Sequence, residues 1–383
     1  MAKLTDVCDF QGGSQPPKEE WSFEEQEGYI RMLQIRDFTQ SERVTPEYIK
    51  ISGSTKTCEA DDILIARYGA SLGKILTGLA GAYNVAIMRT IPNETVLTKK
   101  YLYYYLKSPY FQTIILNVGS RAAQAGFNKE DLSKLDINCP TFEEQGNIVQ
   151  ILQKVENVIK NREIELEKLD ELIKARFVEL FGDTVINPKG WTEHRLDEYI
   201  TFLTSGSRGW AQYFTDEENE LFITIKNVKN NHITLGDIQY VDAPENKEAE
   251  RTKVKTGDLL ISITADLGRT GVVDDSIADR GAYINQHLSL VRLDQDKINP
   301  LYVSYFLETS GGKRQFESKN QNGVKAGLNF EAIKSLKILV PPIEMQKQYI
   351  DFVKQVDKSK VAVQKSLEET QKLFDSLMQE YFG

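Results

Sequence analysis

The chain repeats much of itself at an offset of 201 residues. The matched residues begin with Tyr101, Tyr104 and Leu106, which recur as Tyr302, Tyr305 and Leu307. Ala125, Gly126 and Asn128 recur as Ala326, Gly327 and Asn329. The residues Leu135, Ile137, Pro140, Glu143 and Gln145 recur as Leu336, Ile338, Pro341, Glu344 and Gln346. Phe181 and Gly182 recur as Phe382 and Gly383. No insertion interrupts this register from Tyr101 onward, so the sequence predicts two similar units with pseudo-twofold symmetry. Such a molecule suits a ligand with a dyad of its own, and duplex DNA is the commonest ligand of that kind.

Length and composition indicate a globular protein of two or three domains. The chain has 383 residues, of which 40% are hydrophobic and 27% charged. No apolar run approaches the ~20 residues that span a bilayer, and the N-terminus has no signal core. Cys8, Cys58 and Cys139 are scattered and odd in number, which favours a reducing compartment. We therefore expect a cytoplasmic protein with no membrane partner.

The net charge of −9 counts against nucleic-acid binding, but the charge is unevenly distributed. The segment 313–337 carries six lysines and arginines against two glutamates. This segment could form a basic face that binds DNA weakly, because phosphate neutralisation supplies most of the affinity. On charge alone, the interpretation as a solvated lysine-rich surface is favoured.

Each half has a β-rich part followed by a helical part, which predicts an α+β fold. Short apolar runs predict strands at 29–35 and 62–67 in the first half and at 221–225 and 258–263 in the second. Helices are predicted at 99–107 and 301–308.

Two long heptad seams follow these parts. Seam residues alternate spacings of four and three from Ile148 to Leu180, and again from Tyr349 to Tyr381. About five heptads predict a coiled-coil helix of ~35–40 residues in each half. Each helix starts just after a proline, and the first should end at Gly182.

The two helices are expected to pack on each other, because a lone helix with an exposed apolar stripe would be unstable. The short connection after Phe181 favours an antiparallel pair. The alternative is that each stripe packs on its own globular unit.

Catalytic motifs are not apparent in the sequence. It has no glycine-rich dinucleotide or phosphate loop, and His194, His232 and His287 lack metal-ligand spacing. Asp237 with 245–247 (Glu-Asn-Lys) loosely resembles a metal-dependent nuclease core. We therefore expect a non-catalytic chain. A single-chain nuclease or methyltransferase and a coiled-coil scaffold without DNA contact remain as alternatives.

Several motifs together carry a resemblance to a known family. They are Trp191 with Leu196, the strand 257–262, Leu328 with Asn329, the segment 341–346 and the Phe-Gly pair that ends each long helix. In this order the chain resembles, over its whole length, the specificity subunit of type I restriction–modification systems. The first half carries weaker forms of these motifs and lacks the tryptophan opening.

The resemblance implies two target recognition domains, separated by a pair of long antiparallel coiled-coil helices in a pseudo-twofold α+β fold. The expected boundaries are 1–141 for the first domain, 142–182 for the central helix, 183–342 for the second domain and 343–383 for the C-terminal helix. Each domain would recognise one half of a bipartite, asymmetric DNA target, while the helices set the spacer.

The same resemblance implies partners. Two methyltransferase subunits would dock near the helices, and restriction/translocase subunits would add cleavage. S-adenosylmethionine, ATP and Mg²⁺ are expected on those partners, with no catalytic residue, metal or cofactor on this chain. The target sequence, the spacer length and whether the system restricts stay open.

Residues that differ between the halves are candidates for contacting DNA, because scaffold positions should repeat. The candidates are Gln11, Ser14, Arg36, Arg67, Lys74, Arg121 and Gln124 in the first half, and Ser207, Arg208, Lys226, Arg269, Asn322 and Lys325 in the second. Arginine suits guanine, and glutamine or asparagine suits adenine, because each can form two hydrogen bonds to the base edge. Each candidate could also be an ordinary exposed side chain.

Other residues in these regions have structural interpretations. The glycines beside Gln11 and Ser207 should let the backbone approach phosphate closely. The repeated asparagines Asn84, Asn128, Asn285 and Asn329 are expected to form turns or helix caps. The tyrosines at 101–105 are expected in a core.

Overall fold

The computed structural model describes residues 1–40, 44–119, 126–320 and 327–383. It contains two compact units, one of Met1–Glu165 with Val363–Gly383 and the other of Leu166–Ala362. Each unit combines a globular α+β domain with segments of two 40-residue helices. The predicted fold class is confirmed.

The first half provides β1 to β11 and α1 to α6. The strands are β1 (Ala2–Lys3), β2 (Cys8–Gly12), β3 (Trp21–Ser22), β4 (Tyr29–Leu33), β5 (Glu47–Lys50), β6 (Thr57–Cys58), β7 (Leu64–Ala66), β8 (Ile75–Leu76), β9 (Gly81–Tyr83), β10 (Ile87–Pro92) and β11 (Asp136–Ile137). The helices are α1 (Leu4–Val7), α2 (Ile35–Thr39), α3 (Lys99–Lys107), α4 (Pro109–Gly119), α5 (Lys129–Leu132) and α6 (Phe142–Phe181).

The second half provides β12 to β23 and α7 to α12. The strands are β12 (Glu193–Arg195), β13 (Ile200–Ser205), β14 (Phe214–Thr215), β15 (Glu220–Ile223), β16 (Val228–Lys229), β17 (Asn231–Ile233), β18 (Gln239–Val241), β19 (Leu259–Ser262), β20 (Thr270–Val272), β21 (Ala282–Ile284), β22 (Leu288–Leu293) and β23 (Lys337–Leu339). The helices are α7 (Lys247–Thr252), α8 (Asp275–Asp279), α9 (Pro300–Glu308), α10 (Ser310–Lys319), α11 (Phe330–Lys334) and α12 (Ile343–Phe382).

The two domains have similar sheet topologies. The central sheet of the first has the order β2-β10-β7-β8, and that of the second has β13-β22-β19-β20, extended by β17 and β16. In each domain another sheet contains one parallel pair, β4 with β9 and β15 with β21. The opening strand of each domain pairs with its closing strand, β1 with β11 and β12 with β23. The sequence repeat therefore corresponds to a repeated fold.

The predicted strands are present but shorter than their apolar runs. The run 29–35 gives β4 and then enters α2, where Gln34 and Asp37 form a capping box. The run 258–263 gives β19, and a tight turn follows in which Ala265 has a φ of 56°. The predicted helices match α3 and α9 closely.

The seam positions of both long helices are buried or half-buried, as the heptads predicted. They are Ile148, Leu152, Val155, Ile159, Arg162, Leu166, Leu169, Ile173, Arg176 and Leu180 in α6, and Tyr349, Val353, Val356, Lys360, Val363, Leu367, Thr370, Phe374, Leu377 and Tyr381 in α12. Gly182 ends the first helix with a φ of 82°, in the left-handed region where glycine is favoured. No helix in the described ranges is both long and apolar enough to cross a membrane.

Within the second unit the segments of α6 and α12 run antiparallel. Asp170 pairs with Lys360 at 2.6 Å, and the rings of Phe181 and Tyr349 lie 5.5 Å apart. As the residue number rises along α6, its partner's number falls along α12. The predicted direction is confirmed for this unit.

Each domain core contains the start of one long helix and the end of the other. In the first unit, Leu152 and Phe382 belong to one apolar cluster, and Phe382 packs on Tyr101 with ring centroids 5.1 Å apart. In the second unit, Phe181 packs on Tyr302 at 4.9 Å. The Phe-Gly motif of each helix therefore docks on a domain encoded in the other repeat. The apolar stripes of the helices therefore pack on one another, as expected, and also on the domain cores, as in the alternative.

The repeated glutamine of each long helix joins that helix to its domain. Gln145 is fully buried; its amide accepts from Thr98 N at 2.9 Å and donates to Pro140 O at 2.9 Å. Gln346 makes the matching bonds, accepting from Asn299 N at 2.9 Å and donating to Pro341 O. The buried amide therefore has matching hydrogen-bond partners in both repeats, as buried polar groups generally do.

Candidate nucleic-acid interface

Three segments meet at one end of the central sheet in the first domain. They are the loop after β2, the end of β7 and the turn before β10. Gly13 N donates to Ile87 O at 3.1 Å, and Arg67 N donates to Ala86 O at 2.8 Å. We call residues 11–14, 67–68 and 84–87 the first corner.

The second domain has the same arrangement at the matching end of its central sheet. Gly206 N donates to Leu288 O at 3.1 Å, and Ile263 N donates to His287 O at 2.9 Å. We call residues 205–208, 263–264 and 285–288 the second corner. These two backbone hydrogen bonds have the same positions in both corners, while the side chains of the corners differ.

A glycine in each corner allows the chain to pack against its own backbone. A Cβ on Gly13 would lie 2.1 Å from Asn84 O, and one on Gly206 would lie 2.0 Å from Asn285 O. The close approach that we expected toward phosphate is therefore made to a backbone carbonyl of the same domain at these two positions. The asparagines are turn residues, as predicted, because their side chains accept from Ala86 N and His287 N at 3.1 Å.

Arg67 is the cation best placed in the first corner. Its Nε donates to Phe127 O at 3.4 Å, and its guanidinium lies 5.1 Å from the ring centroid of Tyr68, which is 39% exposed. In the described part of the chain it has no carboxylate partner. The cation–π contact and the Nε bond restrict the guanidinium, and among the described residues its terminal N–H groups have no hydrogen-bond acceptor, so they could donate to a planar acceptor pair.

Other predicted residues gather around Arg67. The Tyr83 hydroxyl donates to Gln11 Oε1 at 2.9 Å, and burial raises the pKa of Tyr83 to about 12, so the hydroxyl remains a donor at neutral pH. Ser14 N donates to Tyr83 O at 3.1 Å. Lys74, whose carbonyl accepts from the last residue of β7, has an exposed side chain. The structure thus brings Gln11, Ser14, Arg67 and Lys74 to one end of the sheet.

Two predicted cations are neutralised by neighbouring carboxylates. Arg36 pairs with Glu47. Arg269 pairs with Asp266 at 2.5 Å. An engaged guanidinium has fewer N–H groups for DNA, so these two residues are weaker candidates than Arg67.

The predicted residues of the second half differ in their surroundings. Ser207 accepts from Trp210 Nε1 at 2.9 Å and so stabilises its own loop. Arg208 and Lys226 are exposed, and neither has an acidic partner among the residues that the structure describes. Arg121, Gln124, Asn322 and Lys325 lie outside the described residues.

In the lysine-rich segment 313–337, three of the five cations that the structure describes are paired with carboxylates, whereas Arg314 and Lys319 have no such partner among the described residues. Lys313 pairs with Glu308 at 3.4 Å, Lys334 with Glu331 at 3.2 Å and Lys337 with Glu193 at 2.7 Å. Paired surface lysines of this kind fit the interpretation of a solvated surface.

The second corner contains a hydrogen-bonded chain of side chains that the sequence did not predict. The Gln286 amide nitrogen lies 3.0 Å from His287 Nε2, and His287 Nδ1 lies 2.6 Å from Thr264 Oγ1. The first corner has Val85 and Ala86 at the positions matching Gln286 and His287. This difference between the halves was the signal that could have identified them.

Among the residues that loosely resemble a nuclease core, Asn246 has a structural role. The Asn246 side chain accepts from Glu248 N at 3.0 Å and from Ala249 N at 2.8 Å, which caps α7. Among the described residues no group of three His, Cys, Asp or Glu side chains is placed to hold a metal ion.

Comparison with known proteins gives consistent matches over nearly the whole chain. A family model described as the type I restriction modification DNA specificity domain matches residues 1–169 and 188–371. The type I restriction enzyme MjaVIII specificity subunit of Methanocaldococcus jannaschii is 19% identical over 371 residues, which cover 93% of this chain and 85% of that protein.

Two solved structures share the fold. One is a structure of the type I R-M system that describes its complex assembly and conformational transition; the matching chain has a TM-score of 0.57 and 18% identity. The match covers 100% of this chain and 96% of that one. The type I restriction–modification S subunit from M. genitalium has a TM-score of 0.55 and 13% identity, with 100% and 95% coverage. Because the family model matches most of the chain in two segments, this chain belongs to the family of type I restriction modification DNA specificity domain proteins.

Proposed function

We propose that this chain is the DNA sequence-specificity subunit of a type I restriction–modification complex, in which each domain recognises one half of a split target. The observation that carries the proposal is the pair of corners. They share their backbone hydrogen bonds but differ in side chains, with Arg67 and Tyr68 standing where the second domain has Ile263 and Thr264. One scaffold with two sets of base-contacting side chains suits two different half-sites.

The free cations near the corners are suited to phosphate contacts rather than to base recognition. Lys74, Arg208 and Lys226 are exposed, and a flexible cation near the duplex positions a protein without selecting a sequence. The chain as a whole carries a net charge of −9. We therefore expect weak binding by the isolated chain, with partner subunits supplying further affinity.

The proposed partners are two methyltransferase subunits that dock near the long helices, with restriction/translocase subunits added to the complex. Ile151, Val158 and Leu172 support docking there, because they are 40%, 42% and 45% exposed on α6 and recur at heptad spacing. S-adenosylmethionine, ATP and Mg²⁺ would be bound by these partners, and the complex would act in the cytoplasm on double-stranded DNA.

Methylation mapping tests the proposal. The chain is expressed with its methyltransferase subunit in a host that lacks the system, and methylated positions are read by single-molecule sequencing of host DNA. We expect a split motif, two short specified sequences separated by unspecified bases, that depends on this chain. A contiguous motif, or the same motif without this chain, would contradict the proposal.

A further inference from the structure

We propose that Gln286 recognises an adenine in the second half-site and that His287 is the residue that positions it. This inference rests on the proposed function and adds the base and the side chain that selects it. It starts from the chain of hydrogen bonds that links Gln286, His287 and Thr264 in the second corner.

The chemistry of the donors fixes the tautomer of His287. An amide nitrogen can only donate, so Gln286 Nε2 donates to His287 Nε2, 3.0 Å away. The imidazole Nε2 is therefore unprotonated, and the proton sits on Nδ1. Nδ1–H donates to Thr264 Oγ1 at 2.6 Å. Each ring nitrogen thus has one partner, and the ring is fixed from both sides.

The Gln286 amide keeps one N–H group and its Oε1 after donating to His287, because no further side-chain bond of Gln286 occurs within the described residues. Adenine presents in the major groove an N6 amino donor beside the N7 acceptor. Oε1 can accept from N6 while the remaining N–H donates to N7. Guanine presents O6 in place of the amino group, so it would face Oε1 with a second acceptor.

The backbone of the second corner holds Gln286 in place. The residue is half-buried and lies two positions before β22. Asn285, beside it, accepts from His287 N at 3.1 Å, and His287 O accepts from Ile263 N at 2.9 Å. A side chain fixed in this way loses little conformational freedom on contacting a base, which favours selectivity.

The first corner cannot make the same contact, because its matching residues are Val85 and Ala86. Val85 is 45% exposed and has no hydrogen-bonding side chain. The inferred adenine contact is therefore specific to the second half-site. The first half-site then serves as an internal control in any variant of the second corner.

The test compares target motifs for wild type, Gln286→Ala and Gln286→Glu. The full chain, assembled with its methyltransferase subunit, selects duplexes from a randomised pool. For Gln286→Ala we expect the preference for adenine at one position of one half-site to fall on the order of 10- to 100-fold. For Gln286→Glu we expect a shift toward cytosine, because a carboxylate accepts from its amino group. The other half-site should stay unchanged in both.

Gln295→Ala provides the matched control. Gln295 lies two residues after β22, at the opposite end of the same strand, and its side chain is exposed. This variant should retain the wild-type motif. If Gln295→Ala changes the preferred base at the same position as Gln286→Ala, the change arises from disturbing the strand rather than from losing a base contact, and the inference is wrong.

Variants of the two supporting residues test the positioning role. Thr264→Val should reduce adenine preference at the position that Gln286→Ala affects, and Thr264→Ser, which keeps the hydroxyl, should restore it. His287→Ala should act at that same position. A wild-type pool without a split motif would overturn the proposed function itself. A split motif in which Gln286→Ala keeps its adenine preference would overturn only this inference.

Discussion

At the scale of single residues, Arg67 and Arg36 were equal candidates by sequence, and their surroundings separate them. Arg67 is stacked on Tyr68 without a carboxylate partner in the described part of the chain, whereas Arg36 pairs with Glu47. We predict that Arg67→Ala lowers discrimination at one guanine of the first half-site by about 1–3 kcal/mol, the usual worth of a bidentate base contact. Target selection from a randomised pool measures this loss.

Two further variants distinguish a base contact of Arg67 from a general effect of charge. Arg67→Lys should lose most of the discrimination as well, because an ammonium cannot present two parallel donors. Arg36→Ala should change the motif much less. Equal effects of Arg36→Ala and Arg67→Ala would show that general charge, not base contact, explains the result.

The buried glutamine at the start of α6 gives a second prediction, this one about stability. Gln145→Ala leaves Thr98 N without its acceptor in a buried site and should lower the free energy of unfolding by about 1–3 kcal/mol. Gln150→Ala, at an exposed position five residues along the same helix, is the control and should cost little. Chemical denaturation of both variants measures the difference; equal midpoints would contradict the account.

The repeat distinguished two classes of residue, because scaffold positions recur in both halves whereas the candidate recognition positions differ. The turn asparagines and the core tyrosines followed from this rule, and the same rule selected Gln11, Arg67 and Lys74 as candidates, although it did not predict that they lie at one end of a sheet. Gln286 and His287 did not follow, because their role depends on a contact with Thr264, 23 residues away from His287. Sequence spacing alone does not reveal such a tertiary hydrogen bond.

At the scale of secondary-structure elements, the end of α12 acts on a domain encoded far earlier in the chain. Phe382 is buried against Tyr101 in α3. Phe382→Ala should destabilise the first unit by about 3–5 kcal/mol, the usual cost of removing a buried phenylalanine. We expect faster hydrogen exchange in α3 as well as in the last turns of α12.

The control for this prediction is Phe142→Ala, because Phe142 is 50% exposed at the start of α6. It should leave exchange in α3 nearly unchanged. If Phe382→Ala speeds exchange only in α12, the helix end does not stabilise the first domain, and our description of the packing is wrong.

The start of α6 supplies a prediction that depends on pH. The hydroxyl and the N–H of Thr141 donate to Glu144 Oε2 at 2.8 and 2.9 Å, which holds the pKa of the Glu144 carboxyl below its usual range. The resulting stabilisation is present above the ordinary glutamate pKa and is lost as the pH falls through the lowered, folded-state pKa. Thr141→Ala should return this pKa toward its ordinary value in a carboxyl NMR titration; an unchanged pKa would show that the hydroxyl bond from Thr141 does not lower it.

The long helices could be predicted more completely than the strands. Five heptads of seam residues define each of α6 and α12, and the limits of α6 follow from Pro140 and Gly182. The strands are short, and their limits depend on turns such as the one at Ala265, which tertiary packing selects. The corners could not be predicted, since they form where segments distant in sequence meet.

At the scale of the whole molecule, the account makes the two domains independent in what they recognise. A variant of the first corner should change one half-site, a variant of the second corner should change the other, and neither should change the spacer. We expect the combination of Arg67→Ala with Gln286→Ala to show both changes together, without any new specificity. A motif for the double variant that differs from this sum would indicate that the domains do not act separately.

The length of the spacer shows whether the two long helices set the distance between the half-sites. A variant lacking the matching heptads 161–167 and 362–368 preserves the seam in both helices while shortening each by ~10 Å. Its methylation motif is mapped beside that of the wild type. We predict the same two half-sites with a gap about three base pairs shorter, since each base pair rises ~3.4 Å. Persistent methylation at the original gap, or altered half-sites, would contradict the account.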